Sequence, residues 1–229
     1  MRFPTIAQIT RHPAFETAVW KLRPHQSGLL PVGATRGGPY NISWEIHGNG
    51  PIKVMLIGGL GVTRADWQRQ TYHFGHLRGD RYSVLLADNL GVADHVQWTA
   101  PRSLHVGGGS LGGMIAQEVA RQAPDRIAKL VLWSTAPRYE RTGSWPEYLA
   151  SVWGMVAPKT LEAGVQGIAR GCFPASWLAA PPADDDLVDI ETSRPLSSRG
   201  MGHAPILERA DWFNGVLEEW FADEKRPRG

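Results

Sequence analysis

The most informative segment of this 229-residue chain is Ser103-Leu-His-Val-Gly-Gly-Gly-Ser110-Leu-Gly-Gly-Met-Ile-Ala-Gln-Glu-Val-Ala120. A short apolar run leads into glycines that enclose a serine, and a helix-forming run follows. The pattern Gly108-Gly-Ser-Leu-Gly112 is G-x-S-x-G, which between a strand and a helix is typical of a nucleophile elbow. Such a turn strains the serine backbone, and it needs small neighbours so that strand and helix can close around it. Ser110 is therefore the candidate nucleophile.

The predicted turn also places Ser110 at the N-terminus of the following helix. Free backbone N–H groups and the helix dipole stabilise negative charge that develops at such a position. The sequence therefore predicts a site where an oxygen atom gains charge during a reaction at Ser110.

Strands and helices alternate on both sides of this segment. The continuous apolar runs 52–57 and 83–87 predict buried strands, and the run 127–133 predicts a strand after the elbow helix. A glycine loop, Gly58-Gly-Leu-Gly61, follows the first run, and the stretch from Thr63 to Asp66 predicts a capping box for a helix that ends near His73. This alternation predicts an α/β fold with a mostly parallel sheet.

The N-terminal part of the chain gives weaker signals. Residues 1–40 contain several prolines and glycines, which predict an irregular segment. Residues 41–47 alternate between apolar and polar side chains, as a half-buried strand does. Because Asn49-Gly50 favours a tight turn, we expect an antiparallel hairpin between this strand and the strand at 52–57.

The chain is predicted to have three parts. Residues 1–136 form the N-terminal part of the core and include the elbow. Residues 137–199 contain short amphipathic pieces between prolines and glycines, which predict a helical lid-like segment. Residues 200–229 complete the core with His203 and a final helix. That helix is predicted from an apolar stripe formed by Phe213, Val216, Leu217, Trp220 and Phe221.

Composition excludes several classes of protein. A formal net charge of +2 is too small to indicate a nucleic-acid-binding surface. Cys172 is the only cysteine, which excludes an internal disulfide and a cysteine-based zinc site. The sequence has no apolar run of membrane-spanning length and no signal-peptide core. We therefore expect a cytoplasmic protein without metal or cofactor.

Together these motifs resemble the α/β-hydrolase superfamily, of the kind that includes small esterases and lactonases. The matching segments are the elbow through Glu118, Ile57-Gly-Gly-Leu-Gly61, Ala87-Asp-Asn89, Pro124-Asp-Arg-Ile127 and Gly200-Met-Gly-His203. The resemblance implies a mostly parallel sheet flanked by helices, with a partial helical lid. It also implies a cofactor-free serine hydrolase that cleaves an ester or lactone through an acyl-serine intermediate. The apolar, tryptophan-rich lid-like segment favours a hydrophobic acyl or alcohol group in that substrate.

The resemblance assigns roles to individual residues. Ser110 matches the nucleophile, and the backbone N–H groups of Leu60 and Leu111 match the oxyanion hole. His203 matches the general base, which takes the serine proton and returns it to the leaving alkoxide.

The catalytic acid and one connection depart from the family pattern. The family supplies the acid after a later strand and ahead of the histidine. The strand-like fragment Leu187-Val-Asp-Ile-Glu191 is the place for it here, so Asp189 or Glu191 is the candidate acid. Residues 90–102, before the elbow strand, are also fewer than the loop and longer helix that the family carries. The chain is therefore interpreted as an internally shortened hydrolase.

Two other functions are compatible with the sequence. A chain that lacks its acid can be a non-catalytic scaffold that keeps the hydrolase fold to bind a small molecule or a partner. Gly107, Gly109 and Gly112 also satisfy G-x-G-x-x-G, the dinucleotide-binding fingerprint, which would make the chain an NADP-binding oxidoreductase. This second alternative leaves the glycine loop 58–61 and His203 without a role.

Overall fold

The computed structural model describes residues 5–16, 18–35, 37–87, 90–136, 144–146, 160–173 and 204–222. The chain divides into two compact units. One comprises Met1–Trp20 and Tyr139–Trp212, and the other, which we call the sheet unit, comprises Lys21–Arg138 and Phe213–Gly229.

The sheet unit contains six strands: β1 (Gln26–Val32), β2 (Tyr40–His47), β3 (Ile52–Ile57), β4 (Tyr82–Leu86), β5 (Leu104–Gly109) and β6 (Ile127–Trp133). They form one sheet with the order β1-β2-β4-β3-β5-β6. Strands β3, β4, β5 and β6 run parallel, whereas β2 is antiparallel to both β1 and β4. The mostly parallel α/β sheet predicted from the sequence is therefore confirmed.

Helices connect and flank these strands. The helical segment 64–77 follows β3 and consists of a 3-10 turn (Arg64–Trp67), one α-helical turn (Gln68–Gln70) and a π-helix (Thr71–Leu77). A short helix, Leu90–His95, follows β4. The elbow helix (Leu111–Gln122) follows β5, and the C-terminal helix (Ala210–Ala222) comes last. The other unit contains helices at Ile6–Arg11, Leu161–Cys172 and Pro205–Glu208.

The central strands are buried along their lengths. All five residues of β4 and all six of β5 are buried, as are the last four of β3. Parallel strands that are covered on both faces have near-continuous apolar sequences, which explains why these runs were recognisable.

Several predicted boundaries are confirmed. The elbow helix spans Leu111–Gln122 and β6 spans Ile127–Trp133. The capping box is formed, because Thr63 N donates to Asp66 Oδ2 at 2.6 Å. The predicted final helix is present and spans Ala210–Ala222, after a separate short helix at Pro205–Glu208.

The prediction for the N-terminal part is wrong in two respects. Residues 1–40 are not irregular throughout, since they contain the helix Ile6–Arg11 and strand β1. The antiparallel partner of β2 is β1 rather than β3, and β4 lies between β2 and β3 in the sheet. Strand β1 is difficult to recognise because it carries Gly28 and Pro31, and its position at the sheet edge tolerates the proline.

The connection between β2 and β3 explains this arrangement. Asn49 N donates to Gly79 O at 2.7 Å, and Gly50 N donates to Tyr82 O at 3.1 Å. Ile52 N donates to Arg81 O, also at 3.1 Å. Carbonyl groups of residues 79–82 therefore accept the hydrogen bonds that would otherwise form within a β2–β3 hairpin. The chain passes across the start of β4 instead of turning back.

The predicted lid, residues 137–199, is described only at 144–146 and 160–173. A helix is formed at Leu161–Cys172, and Thr160 Oγ1 caps it by accepting a hydrogen bond from Ala163 N at 3.1 Å. One of the amphipathic pieces predicted within residues 137–199 is therefore helical. The division into three parts, and the role of residues 137–199 as a lid, stay predictions.

A chain of polar side chains lies near the start of β4, at the sheet edge opposite to the elbow. His47, which is 1% exposed, has Nδ1 at 3.0 Å from His76 Nε2 and Nε2 at 3.4 Å from Glu45 Oε2. Because a carboxylate only accepts hydrogen bonds, the proton lies on His47 Nε2, and His76 Nε2 donates to His47 Nδ1. Burial lowers the pKa of both histidines.

The C-terminal helix packs on the helical segment 64–77 from Phe213 onward. Gln70 Nε2 donates to Asn214 Oδ1 at 3.1 Å within the core. The rings of Phe74 and Phe221 are in edge contact, with centroids 5.9 Å apart. Glu218 forms ion pairs with His73 and Arg78. These contacts fix the last helix against the sheet unit.

Candidate active site

Ser110 occupies the turn between β5 and the elbow helix. Its backbone angles are φ 54° and ψ −127°, a conformation that non-glycine residues rarely adopt. Strained backbone of this kind concentrates at functional sites, where the surrounding structure maintains it. The strand–turn–helix context expected for the nucleophile elbow is therefore present, with Ser110 as the N-cap of the helix.

The glycines around Ser110 are required by close backbone packing. A Cβ on Gly112 would overlap the carbonyl oxygen of Ile57 and would lie only 2.6 Å from that of Gly58. A Cβ on Gly113 would lie 2.6 Å from the Thr135 side chain. The elbow helix can therefore approach the ends of β3 and β6 only because its first turn carries no side chains at these two positions.

The glycine loop 58–61 lies directly against the elbow. A Cβ on Gly59 would be 3.2 Å from Ser110 Cβ and 3.7 Å from Leu111 N. Val62 N donates to Gly59 O at 3.2 Å and closes the loop. The structure thus brings Gly59, the residue before Leu60, next to Ser110 and Leu111. The roles of the Leu60 and Leu111 N–H groups as oxyanion donors stay predictions.

The segment after β6 holds the main chain of Ser110 from the other side. Ser110 N donates to Trp133 O at 3.2 Å, and Thr135 Oγ1 donates to Ser110 O at 2.7 Å. Ser134, between these two residues, also has a positive φ of 47°. Sequence reasoning missed this contribution, because a threonine after an apolar strand carries no recognisable motif.

Aromatic side chains support the end of β6. The ring of Trp133 makes edge contacts with Trp67 and Phe213, with centroids 5.6 and 5.0 Å apart. Phe213 belongs to the first turns of the C-terminal helix. This helix therefore begins its packing on the sheet unit beside the strand end that holds Ser110.

Two of the predicted catalytic residues lie outside the described residues. These are His203, the predicted base, and Asp189, the predicted acid; the alternative acid Glu191 lies outside as well. Their roles stay predictions.

His105 is in the elbow strand but takes part in packing. Its Nδ1 lies 3.2 Å from the backbone oxygen of Lys53, to which it donates, and its ring makes an edge contact with Phe221. Burial lowers the pKa of this imidazole. Its contacts are those of a core histidine that stays neutral at physiological pH.

The described residues give no sign of a metal centre or a membrane span. Among them, no three histidine, cysteine or carboxylate side chains are arranged to hold a metal ion. None of the helices in the described ranges is both long and apolar enough to cross a bilayer.

The sequence is similar to bacterial proteins that are named as esterases. It is 32% identical over 176 residues to a pimeloyl-[acyl-carrier protein] methyl ester esterase of Chromobacterium violaceum. The alignment covers 73% of this chain and 69% of that protein. The chain belongs to the α/β-hydrolase superfamily. No family model matches this α/β hydrolase. The proteins of the same name from Methylococcus capsulatus and Nitrosomonas europaea are 38% and 32% identical over 112 and 149 residues.

Coverage of these relatives is partial. The α/β hydrolase described here spans 44% of the Methylococcus protein and 52% of the Nitrosomonas protein, about half the length of each. Its kinship to named esterases makes it an esterase-like member of the superfamily.

Solved structures agree with this assignment at the level of the fold. A probable hydrolytic enzyme from Pseudomonas aeruginosa PAO1 has a TM-score of 0.60 and 11% identity, and covers 89% of this chain and 96% of its own. The enol-lactonase from Burkholderia xenovorans LB400 has a TM-score of 0.59 and 16% identity. The match covers 80% of this chain and 97% of the lactonase. Likeness at this level of identity shows the shared fold alone.

Proposed function

We propose that this α/β hydrolase cleaves a carboxylic ester through an acyl-serine intermediate on Ser110. The observation that carries the proposal is the strained Ser110 at the N-terminus of the elbow helix, with the glycine loop 58–61 packed against it. A serine in this position is exposed to a substrate carbonyl while its backbone is held from both sides. The relatives named as pimeloyl-[acyl-carrier protein] methyl ester esterases favour a methyl ester as the substrate.

The reaction follows from the roles of five residues. Ser110 Oγ attacks the ester carbonyl carbon as its proton passes to His203, and the carbonyl oxygen becomes an oxyanion. The backbone N–H groups of Leu60 and Leu111 donate to that oxygen. His203 then gives the proton to the leaving alkoxide, and water hydrolyses the acyl-serine by the same steps in reverse. Asp189 is the proposed acid that orients His203.

The two oxyanion donors have structural support. Leu111 N is the first N–H of the elbow helix, where the backbone donors have no partner within the helix. Leu60 directly follows Gly59, and a Cβ on Gly59 would lie 3.7 Å from Leu111 N. An oxyanion donor of this kind is worth about 3 kcal/mol of barrier.

The assignment of His203 is supported by the C-terminal helix. Phe213 packs on Trp133, and the carbonyl oxygen of Trp133 accepts the Ser110 N–H. His203 comes ten residues before Phe213 in the sequence. His203 therefore shortly precedes, in the sequence, the helix whose Phe213 packs on the strand end that holds Ser110, and this order supports the assignment.

Fluorophosphonate labelling tests the proposal. Purified wild-type protein, Ser110→Ala and Ser134→Ala are incubated with the probe and analysed by intact mass. Ser134 is the matched control, because it is an exposed serine at the same edge of the sheet. We expect one adduct on the wild type and on Ser134→Ala, and none on Ser110→Ala. A folded, monodisperse wild type that takes no label would refute the proposal and favour the non-catalytic scaffold.

Substrate preference is tested on the same samples. We expect methyl esters of medium-chain fatty acids to be hydrolysed faster than lactones of similar size, and Ser110→Ala to hydrolyse neither. Faster turnover of lactones would overturn the methyl ester assignment while leaving the acyl-serine step intact. The dinucleotide alternative predicts bound NADP in the purified protein, and the esterase names of the relatives do not favour it.

A further inference from the structure

The segment that follows β6 contacts the peptide group that joins Ser110 to Leu111. We propose that Thr135 is a positioning residue, which orients the Leu111 N–H toward the oxyanion by holding the Ser110 carbonyl. This inference rests on the proposed function, because it concerns the same acyl-transfer site.

The planarity of the peptide bond connects the two groups. The Ser110 C=O and the Leu111 N–H belong to one trans peptide unit, so they point in opposite directions within one plane. Thr135 Oγ1 donates to Ser110 O at 2.7 Å, a short hydrogen bond for a hydroxyl and a carbonyl. Fixing the oxygen therefore fixes the direction of the N–H on the other side. The same bond polarises the peptide unit, which strengthens the N–H as a donor.

This orientation is not secured by the helix alone. Ser110 O also accepts from Gly113 N at 3.0 Å and from Met114 N at 3.3 Å, as a carbonyl at a helix start does. Ser110 accepts these two helical bonds although its own φ is positive and strained. A third donor from outside the helix holds the carbonyl in this conformation.

Thr135 is itself held in place from two directions. A Cβ on Gly113 would lie 2.6 Å from Thr135 Cβ and 2.7 Å from Thr135 Oγ1, so the threonine side chain packs directly on the backbone of the helix. The next residue is also fixed, because Gln117 Nε2 donates to Ala136 O at 3.1 Å. The hydroxyl thus approaches Ser110 O from a fixed position.

The test compares Thr135→Val, which keeps the shape and removes the donor, with Thr135→Ser, which keeps the donor. Ser103→Ala is the matched control, since Ser103 Oγ donates to Ala100 O at the same 2.7 Å but lies before β5, at the opposite sheet edge. Each variant is titrated with fluorophosphonate to count reactive serines. Its kcat and KM for a methyl ester are then measured per reactive site, and its stability is measured in urea.

We expect Thr135→Val to lower kcat on the order of tenfold, less than the complete loss of an oxyanion donor, with KM changed by less than about twofold. Thr135→Ser and Ser103→Ala are expected to keep kcat within about twofold of the wild type. A positioning role requires this difference in kcat even after correction for any loss of folded protein.

The outcomes separate this inference from the proposed function. A wild type that reacts with the probe, together with a Thr135→Val variant of unchanged kcat, overturns the positioning role alone. A fall in kcat for Thr135→Ser equal to that for Thr135→Val also overturns it, because the hydroxyl would then not be responsible. A folded wild type that does not react overturns both the proposed function and this inference.

Discussion

Replacing Gly112 by alanine provides a sharp test of the packing at the elbow. Gly112 and Gly215 both lie inside α-helices, and helix propensity alone predicts that alanine stabilises either position by about 1 kcal/mol. Their surroundings differ. A Cβ on Gly215 would meet nothing within 4 Å, whereas a Cβ on Gly112 would overlap Ile57 O and lie 2.6 Å from Gly58 O.

The structure sets the size of the effect. Ordinary Cβ contacts begin at 3.4 Å, so the Gly58 carbonyl would have to withdraw by about 0.8 Å, and that of Ile57 by more. Both are backbone groups at the end of the buried β3 and cannot rotate away. Overpacking costs about 1–3 kcal/mol and more where backbone must move, so we expect about 3 kcal/mol here. After the propensity gain, Gly112→Ala should lose about 2 kcal/mol and Gly215→Ala should gain about 1 kcal/mol.

Urea unfolding followed by tryptophan fluorescence measures both variants against the wild type. With a slope of about 2 kcal/mol per molar urea, the loss in Gly112→Ala corresponds to a midpoint about 1 M lower. The midpoint of Gly215→Ala should rise. If Gly112→Ala is as stable as the wild type, the close approach of the elbow helix to β3 is not as described, and the packing argument for the glycines fails.

Two further predictions concern parts of the sheet unit away from the elbow. Burial lowers the pKa of His47 and His76, so the unfolded chain binds protons that the folded chain does not. The free energy of unfolding should be highest above about pH 6.5 and should fall as the pH drops through the lowered pKa values of these histidines. Urea midpoints measured against pH should show a weaker fall for His76→Gln than for the wild type. The same pH dependence in both proteins would count against this reasoning. Asn214→Ala removes the acceptor of the buried bond from Gln70 and should cost about 1–3 kcal/mol in urea unfolding. The exposed neighbour Glu219→Ala should change stability by less than about 0.5 kcal/mol, and equal effects of the two would contradict the role of the bond.

The sequence was most informative where local chemistry decides the structure. The bounds of the elbow helix and of β6 follow from glycines, a proline and an apolar run that lie next to one another in the chain. The partner of β2 could not be predicted in this way. It depends on hydrogen bonds from Asn49 and Gly50 to residues 79–82, which the local pattern Asn-Gly does not reveal.

The candidate site shows the same difference between local motifs and contacts that are distant in sequence. Ser110 and Leu111 were recognisable, because a nucleophile elbow has a short motif of its own. Thr135 was not, because it meets Ser110 across 25 residues of sequence and an ordinary threonine can perform its role. His203 and Asp189 lie outside the described residues, so their part in the site rests on the resemblance and on the proposal.

The way in which the Ser110 main chain is held affects the order of folding. Its N–H and its carbonyl are bound by Trp133 and Thr135, which are brought to it only when β6 has joined β5. Because contacts that are distant in sequence form late, we expect Ser110 to lack this conformation in partly folded chains that already contain the elbow helix. The rate at which Ser110 becomes labelled during refolding would therefore report when β6 joins β5. We expect a newly synthesised chain not to react with the probe before that step.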